Sequence, residues 1–237
     1  MKEEFIEFDP SITDKRTFYS TFLSNYNPPV QAINHFASIP WTNKWLSNPA
    51  YKIIPFWSRH VKTSGEDTFF GNTINTTETV PHFIMIQLKD FITPEPSDAS
   101  SGTKLASDAN AHNNNPPINR GPAELIFLLQ FGERGVDGHP GVIHGGVICA
   151  LLDETMSAVI SQHLDNATPK PRGQIFTANL NTSFRAPVTT PAAVILKCWL
   201  VRRDKRKWLT KGQIEDESGR VLAEANAIWV LVPENKI

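Results

Sequence analysis

The sequence predicts an α+β fold in which one long helix lies against a largely antiparallel sheet. Three observations carry that expectation. A nearly all-apolar helical run spans about Gly146 to His163, with Val147, Ile148, Ala150, Leu151, Leu152, Met156, Ala158, Val159 and Ile160 around its circumference. Strand-like segments flank it in the order strand, strand, helix, then three or more strands. The later strands are joined by short turns, which favours antiparallel neighbours. A helix apolar on nearly every side is expected to be wrapped by the sheet.

Residues 1–78 differ from the rest, with aromatic and proline clusters at Pro28-Pro29, Pro40-Trp41, Trp45 and Pro55-Phe56-Trp57. Short helices are expected near Asp14 to Ser24 and near Val30 to Phe36. The aromatics need covering, so this stretch reads as an N-terminal helical extension packed on a core domain of residues 79–237. From Pro81 the pattern changes to strand formers, His82 to Ile92 (HFIMIQLKDFI) and then Glu124 to Phe131. Between them, residues 93–122 are rich in Pro, Ser, Asn, Asp and Gly, and read as a flexible insertion.

After the helix, Gln174 to Ala186 alternates Phe176, Ala178, Leu180, Thr182 and Phe184 against Thr177, Asn179, Asn181 and Ser183. Ala193 to Arg202 and Trp208 to Asp216 bracket the charged turn Arg203-Asp204-Lys205-Arg206. A Ser218-Gly219 turn leads into Arg220 to Val232, which sets Val221, Ala223, Ala225, Ala227 and Trp229 on one face. A row of small residues lets a helix approach a sheet closely.

Composition excludes several classes. The 237 residues are 40% hydrophobic and 20% charged, with a formal net charge of −1 and a pI near 6.7. There is no large basic field for a nucleic-acid backbone. No apolar run approaches the roughly 20 residues of a membrane span. Cys149 and Cys198 lie in apolar surroundings and read as free core thiols of a reducing compartment. With the acidic start MKEEFIEFDP, the expectation is cytoplasmic, or mitochondrial if a leader has been trimmed. The seven histidines and two distant cysteines offer no metal pattern, and there is no GxSxG elbow, Walker loop or dinucleotide fingerprint.

The chemistry concentrates in His139 to Met156 (HPGVIHGGVICALLDETM). A Pro140-Gly141 turn leads to His144-Gly145-Gly146 at a helix start, where backbone N–H groups suit a developing negative charge. The helix then carries Asp153 and Glu154, and carboxylates in an apolar helix need a partner or a task. Glu154 points about 100° away from Asp153 and reads as structural. An oxyanion site and a carboxylate on one segment suggest acyl chemistry.

His-Gly-Gly at the helix start with an Asp nine positions after the His, together with Thr177-Ala178-Asn179-Leu180-Asn181 followed by Phe184, Arg185 and Pro187, resembles the hotdog-fold acyl-CoA thioesterases of the phenylacetate-degradation (PaaI-like) type and their eukaryotic relatives. The resemblance covers roughly residues 80–232. It implies hydrolysis of an acyl-CoA, or a related acyl thioester, to free acid and thiol, with coenzyme A in the substrate and no separate cofactor. Gly145 and Gly146 would form the oxyanion site, and Asp153 would be the general base or the nucleophile. Thr177 would hold the attacking water or orient Asp153, and His144 would bond the carbonyl or fix the glycine turn. Asn179 and Asn181 would line the pocket, and Arg202 and Arg203 are candidates for the coenzyme A phosphates. A non-catalytic acyl-CoA-binding protein and a hydratase or dehydratase on the same fold are the alternatives.

Gly146 and Asp153 share a helix face but lie about 10 Å apart along its axis. One helix does not deliver both groups to one carbonyl carbon. A two-fold dimer with antiparallel helices would set Asp153 of one chain beside Gly146 of the other. A homodimer, or a dimer of dimers, is therefore expected.

Overall fold

The computed structural model describes Phe22 and residues 26–93, 121–167 and 173–233. Apart from Phe22, the expected helix near Asp14 to Ser24 lies outside the described residues, as does most of the 93–122 insertion. Among the described residues the elements run, in chain order, α1 (Val30–Ser38), α2 (Pro40–Leu46), β1 (Tyr51–Ile54), β2 (His82–Leu88), β3 (Leu125–Phe131), β4 (Asp137–His139), β5 (Val142–Ile143), α3 (Gly145–Asn166), β6 (Gln174–Phe184), β7 (Ala192–Asp204), β8 (Lys207–Glu215) and β9 (Val221–Val232). The expected order of strands about one long helix is met. Four short elements, α2, β1, β4 and β5, are additional to it. Pro40 occupies the first turn of α2, where its missing N–H costs nothing.

The chain divides into two compact units that interleave in sequence. The first comprises Met1–Lys89, Phe127–His144 and Val188–Ile195. Here β1, β2 and β3 are neighbours in that order, and β1 pairs antiparallel with β2 from Tyr51↔Leu88 to Ile54↔Met85. Of the aromatics in the N-terminal stretch, Phe22, Phe36, Tyr51, Phe56 and Phe70 are buried, Trp41, Trp45 and Trp57 are half-buried, and Phe69 is exposed. Phe56 lies 5.0 Å from Phe83 and 5.1 Å from Phe127, ring centre to ring centre, and all three are buried. The Arg59 guanidinium donates to the carbonyls of Val80 (2.8 Å) and Phe70 (3.1 Å), and burial lowers its pKa. The strands β4 and β5 form a hairpin around Pro140-Gly141, where Gly141 adopts φ +71°, a value glycine takes without strain.

The second unit comprises Asp90–Ile126, Gly145–Pro187 and Leu196–Ile237. Its strands run β7-β8-β9-β6, so β6 is the edge strand. The β8–β9 and β9–β6 pairs are antiparallel. Opposed residues of such pairs share a face. Trp208, Thr210, Gly212 and Ile214 of β8 therefore lie beside Trp229, Ala227, Ala225 and Ala223 of β9. This is the face that receives α3, because a Cβ on Gly212 would stand 3.0 Å from Met156 Cγ and 3.2 Å from Leu152 Cδ2. The expected small-residue row is present and has the expected use: it permits close approach of the helix.

The helix itself is less enclosed than its composition suggests. Ile148, Leu151, Leu152, Met156, Val159, Ile160 and Leu164 are buried, but Ala150, Asp153, Glu154, Ser157 and Ser161 are only half-buried and Gly146 is exposed. The reason is that one side of α3 carries only small or polar side chains, which attract no covering layer from the described part of this chain. At the other end of the helix, the buried His163 ring bonds in two directions. Its Nε2 lies 3.0 Å from Glu124 Oε2 and its Nδ1 lies 3.1 Å from Thr93 Oγ1. Glu124 Oε2 also accepts the Leu200 N–H at 2.9 Å.

Candidate functional site

The second unit brings Asp153 and Thr177 together. The Thr177 hydroxyl donates to Asp153 Oδ1 at 3.0 Å. Asp153 is half-buried, and that burial raises its carboxyl above the usual carboxylate range, with the Thr177 hydrogen bond partly opposing the rise. A carboxylate held by one oxygen, with the other available and a raised affinity for protons, is suited to taking a proton from water.

Strict alternation along β6 would place Thr177 with Asn179 and Asn181, away from Leu180. The structure differs, and the reason is a β-bulge. Thr177 is opposite Trp229 and Asn179 is opposite Ile228, so Thr177 and Ala178 occupy the space of one partner residue. A bulge adds one residue to one strand and re-aims the side chain beside it. Thr177 thereby joins Leu180, Thr182 and Phe184 on the helix side of the sheet, opposite Trp229, Ala227, Ala225 and Ala223. Asn179 and Asn181 stay on the other side, with Ile228 and Asn226. The structure therefore does not bring these two asparagines onto the face of Asp153.

Along α3, contacts to β6 recur every four residues. A Cβ on Gly145 would sit 3.3 Å from Phe184 Cζ, the Cys149 thiol lies 3.6 Å from Thr182 Oγ1, and Asp153 meets Thr177. The glycines thus stand at one end of this seam and the carboxylate at the other. The first turn of α3 begins at Gly145, so the N–H groups of Gly145 and Gly146 precede the intrahelical hydrogen-bond ladder. His144 belongs to the first unit, where its backbone N–H donates to the Val136 carbonyl at 2.8 Å.

Cys149 is half-buried, whereas Cys198 is fully buried with its thiol pushed up to about 12 by that burial. Only the second is a core thiol as expected. Arg202 and Arg203 are consecutive in β7 and so project to opposite faces. The Arg203 guanidinium stacks 4.6 Å from the centre of the buried Trp208 ring. Arg185 of the same β6 motif has a structural partner: it donates to Glu224 Oε1 from Nε (3.0 Å) and Nη2 (2.8 Å), while Lys211 reaches Glu224 Oε2 at 2.7 Å.

Two features lay beyond sequence reasoning. The bulge has no local marker, because Thr-Ala-Asn lacks the glycine that often announces one. The indole N–H of buried Trp229 donates to the buried Thr210 hydroxyl at 2.8 Å. The two are diagonal neighbours on one sheet face, since Thr210 is opposite Ala227 and Trp229 is opposite Trp208, and such a pair is legible only once the β8–β9 register is known. Among the described residues no group of three or more His, Cys, Asp or Glu is placed to hold a metal ion, and no helix is long and apolar enough to cross a membrane.

Residues 140–223 match the family model described as Thioesterase superfamily. Acyl-coenzyme A thioesterase THEM4 of Rattus norvegicus is 24% identical over 119 residues, covering 50% of this chain and 47% of that protein. Verlamelin biosynthesis protein B of a Lecanicillium species is 27% identical over 184 residues, covering 68% of this chain and 71% of that protein. The solved structure of the E. coli PaaI protein from the phenylacetic acid degradation operon is 14% identical, with a TM-score of 0.38 over 46% of this chain and 72% of that one. The chain spans about half the length of the THEM4 relatives it matches.

Proposed function

From the premise that residues 140–223 are a thioesterase-superfamily segment of the hotdog fold, we propose that this chain hydrolyses acyl-CoA or a related acyl thioester to the free acid and thiol. The observation that carries the reading is the Thr177–Asp153 hydrogen bond at 3.0 Å on that segment. Thr177 fixes Oδ1, and Oδ2 faces the attacking water. As water adds to the thioester carbonyl, Asp153 takes its proton and the carbonyl oxygen becomes an oxyanion. Backbone N–H groups of Gly145 and Gly146 stabilise that oxyanion, a contribution worth about 3 kcal/mol per donor in comparable sites. Collapse of the tetrahedral intermediate breaks the C–S bond, and the proton on Asp153 accompanies the departing thiolate. Direct attack by Asp153 to form an anhydride is the second route for the same residue.

The reacting groups come from two copies of the chain. Gly146 and Asp153 are seven positions apart on the helix, about 10 Å along the axis, which is too far for one carbonyl carbon. Two observations favour a second copy at this place. The 11-residue β6 is an edge strand on which Phe176 and Phe184 are 47% and 57% exposed, a surface that invites pairing. The half-buried side of α3, with Gly146, Ala150, Ser157 and Ser161, leaves room for a second helix. A hydratase or dehydratase reading is disfavoured because Asp153 bonds a threonine, not an imidazole.

The test is thiol release from acyl-CoAs of increasing chain length by wild type and Asp153→Asn. The wild type is expected to turn over and the variant to lose at least about 100-fold in kcat, in line with loss of a general base. No release by the wild type from any substrate overturns the activity, and an Asp153→Asn enzyme equal to wild type overturns the assignment of Asp153. A monomer in light scattering at assay concentration overturns the shared site.

A further inference from the structure

The row of side chains beneath α3 runs Trp208, Trp229, Thr177 across β8, β9 and β6, each directly opposite the next. Trp229 is therefore the cross-strand partner of the threonine that bonds Asp153. It is 3% exposed, and Trp208 on its other flank is 0% exposed, so the indole has no space in which to turn. Its one polar atom is committed as well: Nε1 donates to Thr210 Oγ1 at 2.8 Å, in a pair buried at both ends. Buried hydrogen bonds of this kind specify a single side-chain position, because any other rotamer strands both groups without partners.

The bulge begins at this tryptophan. Register is regular from Gln174↔Val232 to Thr177↔Trp229 and slips by one residue before Asn179↔Ile228. If the slip moved one position toward the strand start, Thr177 would pass to the opposite face and its hydroxyl would leave Asp153, since a one-residue shift exchanges the two faces of a strand. A large immobile side chain at the last regular pair is what prevents that movement.

We propose that Trp229, pinned by Thr210, is a positioning residue of this site, holding the bulge in the register that presents the Thr177 hydroxyl to Asp153. It touches no reacting atom. It acts through Thr177, and this assignment rests on the reading of Asp153 and Thr177 given under Proposed function.

The test uses the full chain and breaks the pin from either end. Trp229→Phe removes the donor and keeps the aromatic bulk. Thr210→Val removes the acceptor and keeps the shape. Each is expected to lower kcat about 10-fold or more, the scale of effect from a reacting group loosened by a fraction of an ångström, with KM within about twofold of wild type. Thr210→Ser, which keeps the hydroxyl, is expected to retain wild-type kcat. A hydrogen bond to the charged form of a carboxylate lowers its pKa. Weakening the Thr177 contact therefore moves the acid limb of the kcat profile to higher pH in Trp229→Phe and Thr210→Val. A merely structural pair would lower the melting temperature and leave that limb in place. Should both of those variants fail to fold by circular dichroism, Thr210→Ala is read in the same way. Wild-type kcat and an unmoved acid limb in the folded variants, with Asp153→Asn inactive, overturn the positioning role alone. An Asp153→Asn enzyme that turns over normally overturns the underlying reading of the site instead.

Discussion

Gly212→Val perturbs a close approach between α3 and the sheet. Even a single Cβ at this position would lie 3.0 Å from Met156 Cγ, 3.1 Å from Met156 Sδ and 3.2 Å from Leu152 Cδ2. Ordinary carbon contacts need about 3.5–4.0 Å, so each neighbour must retreat by several tenths of an ångström before the two γ-methyls are placed. Leu152 and Met156 are 0% exposed and have little room to retreat. Overpacking of a filled core costs about 1–3 kcal/mol, and the removal of a glycine from a strand interior returns roughly 0.5–1 kcal/mol. The net expectation is a loss of about 1–2 kcal/mol, or about 2–8 °C in melting temperature for a chain of this size. Thermal denaturation followed by circular dichroism measures it. The reasoning also requires coupling: Met156→Ala, which alone costs about 2–5 kcal/mol, should cost at least about 1 kcal/mol less in the Gly212→Val background. A Gly212→Val protein that melts within about 1 °C of wild type, or strict additivity of the two changes, would refute the claim that this glycine sets the helix–sheet distance.

Two further outcomes follow from the site. Because burial raises the Asp153 pKa above the ordinary aspartate value of 3.8, the folded state holds the proton more tightly than the unfolded chain does. Ionisation of Asp153 then destabilises the fold as pH rises through and above that value. Asp153→Asn is accordingly expected to gain stability relative to wild type between pH 4 and pH 7, as read in denaturant melts across pH, and a constant difference would contradict the raised pKa. Gly145→Ala presses Phe184, whose ring atoms Cζ and Cε1 would lie 3.3 and 3.5 Å from the new methyl. Phe184 is exposed enough to swing aside, so the melting temperature should hold within about 2 °C while kcat falls; a variant that unfolds instead shows that Phe184 is fixed.

How much was legible before the structure depended on how local each cause is. The α3 helix and strands β6, β8 and β9 follow from periodicity, which acts over adjacent residues, and their observed bounds differ from expectation by only a few positions. The pairing of Gly145 and Asp153 on one helix was visible for the same reason. The orientation of Thr177 was not, because alternation holds only while the register does, and the register of β6 is set by partners such as Trp229, about 50 residues later in the chain. Composition overstates the enclosure of α3, because alanine and glycine count as apolar but bury little area. The short β1 (YKII) is not legible locally because four residues carry almost no period, and its pairing with β2 is decided by residues about 30 positions downstream.

The two-way bonding of His163 bears on how this domain tolerates change. One imidazole grips Thr93 on one side and Glu124 on the other, and the same Glu124 Oε2 holds the Leu200 N–H of β7. Segments far apart in sequence are thus tied to one buried ring near the end of α3. Removing that ring would leave a carboxylate and a hydroxyl without their shared partner, so a change at position 163 is felt in three segments at once. The ring acts as a staple for the far end of the helix that carries Asp153.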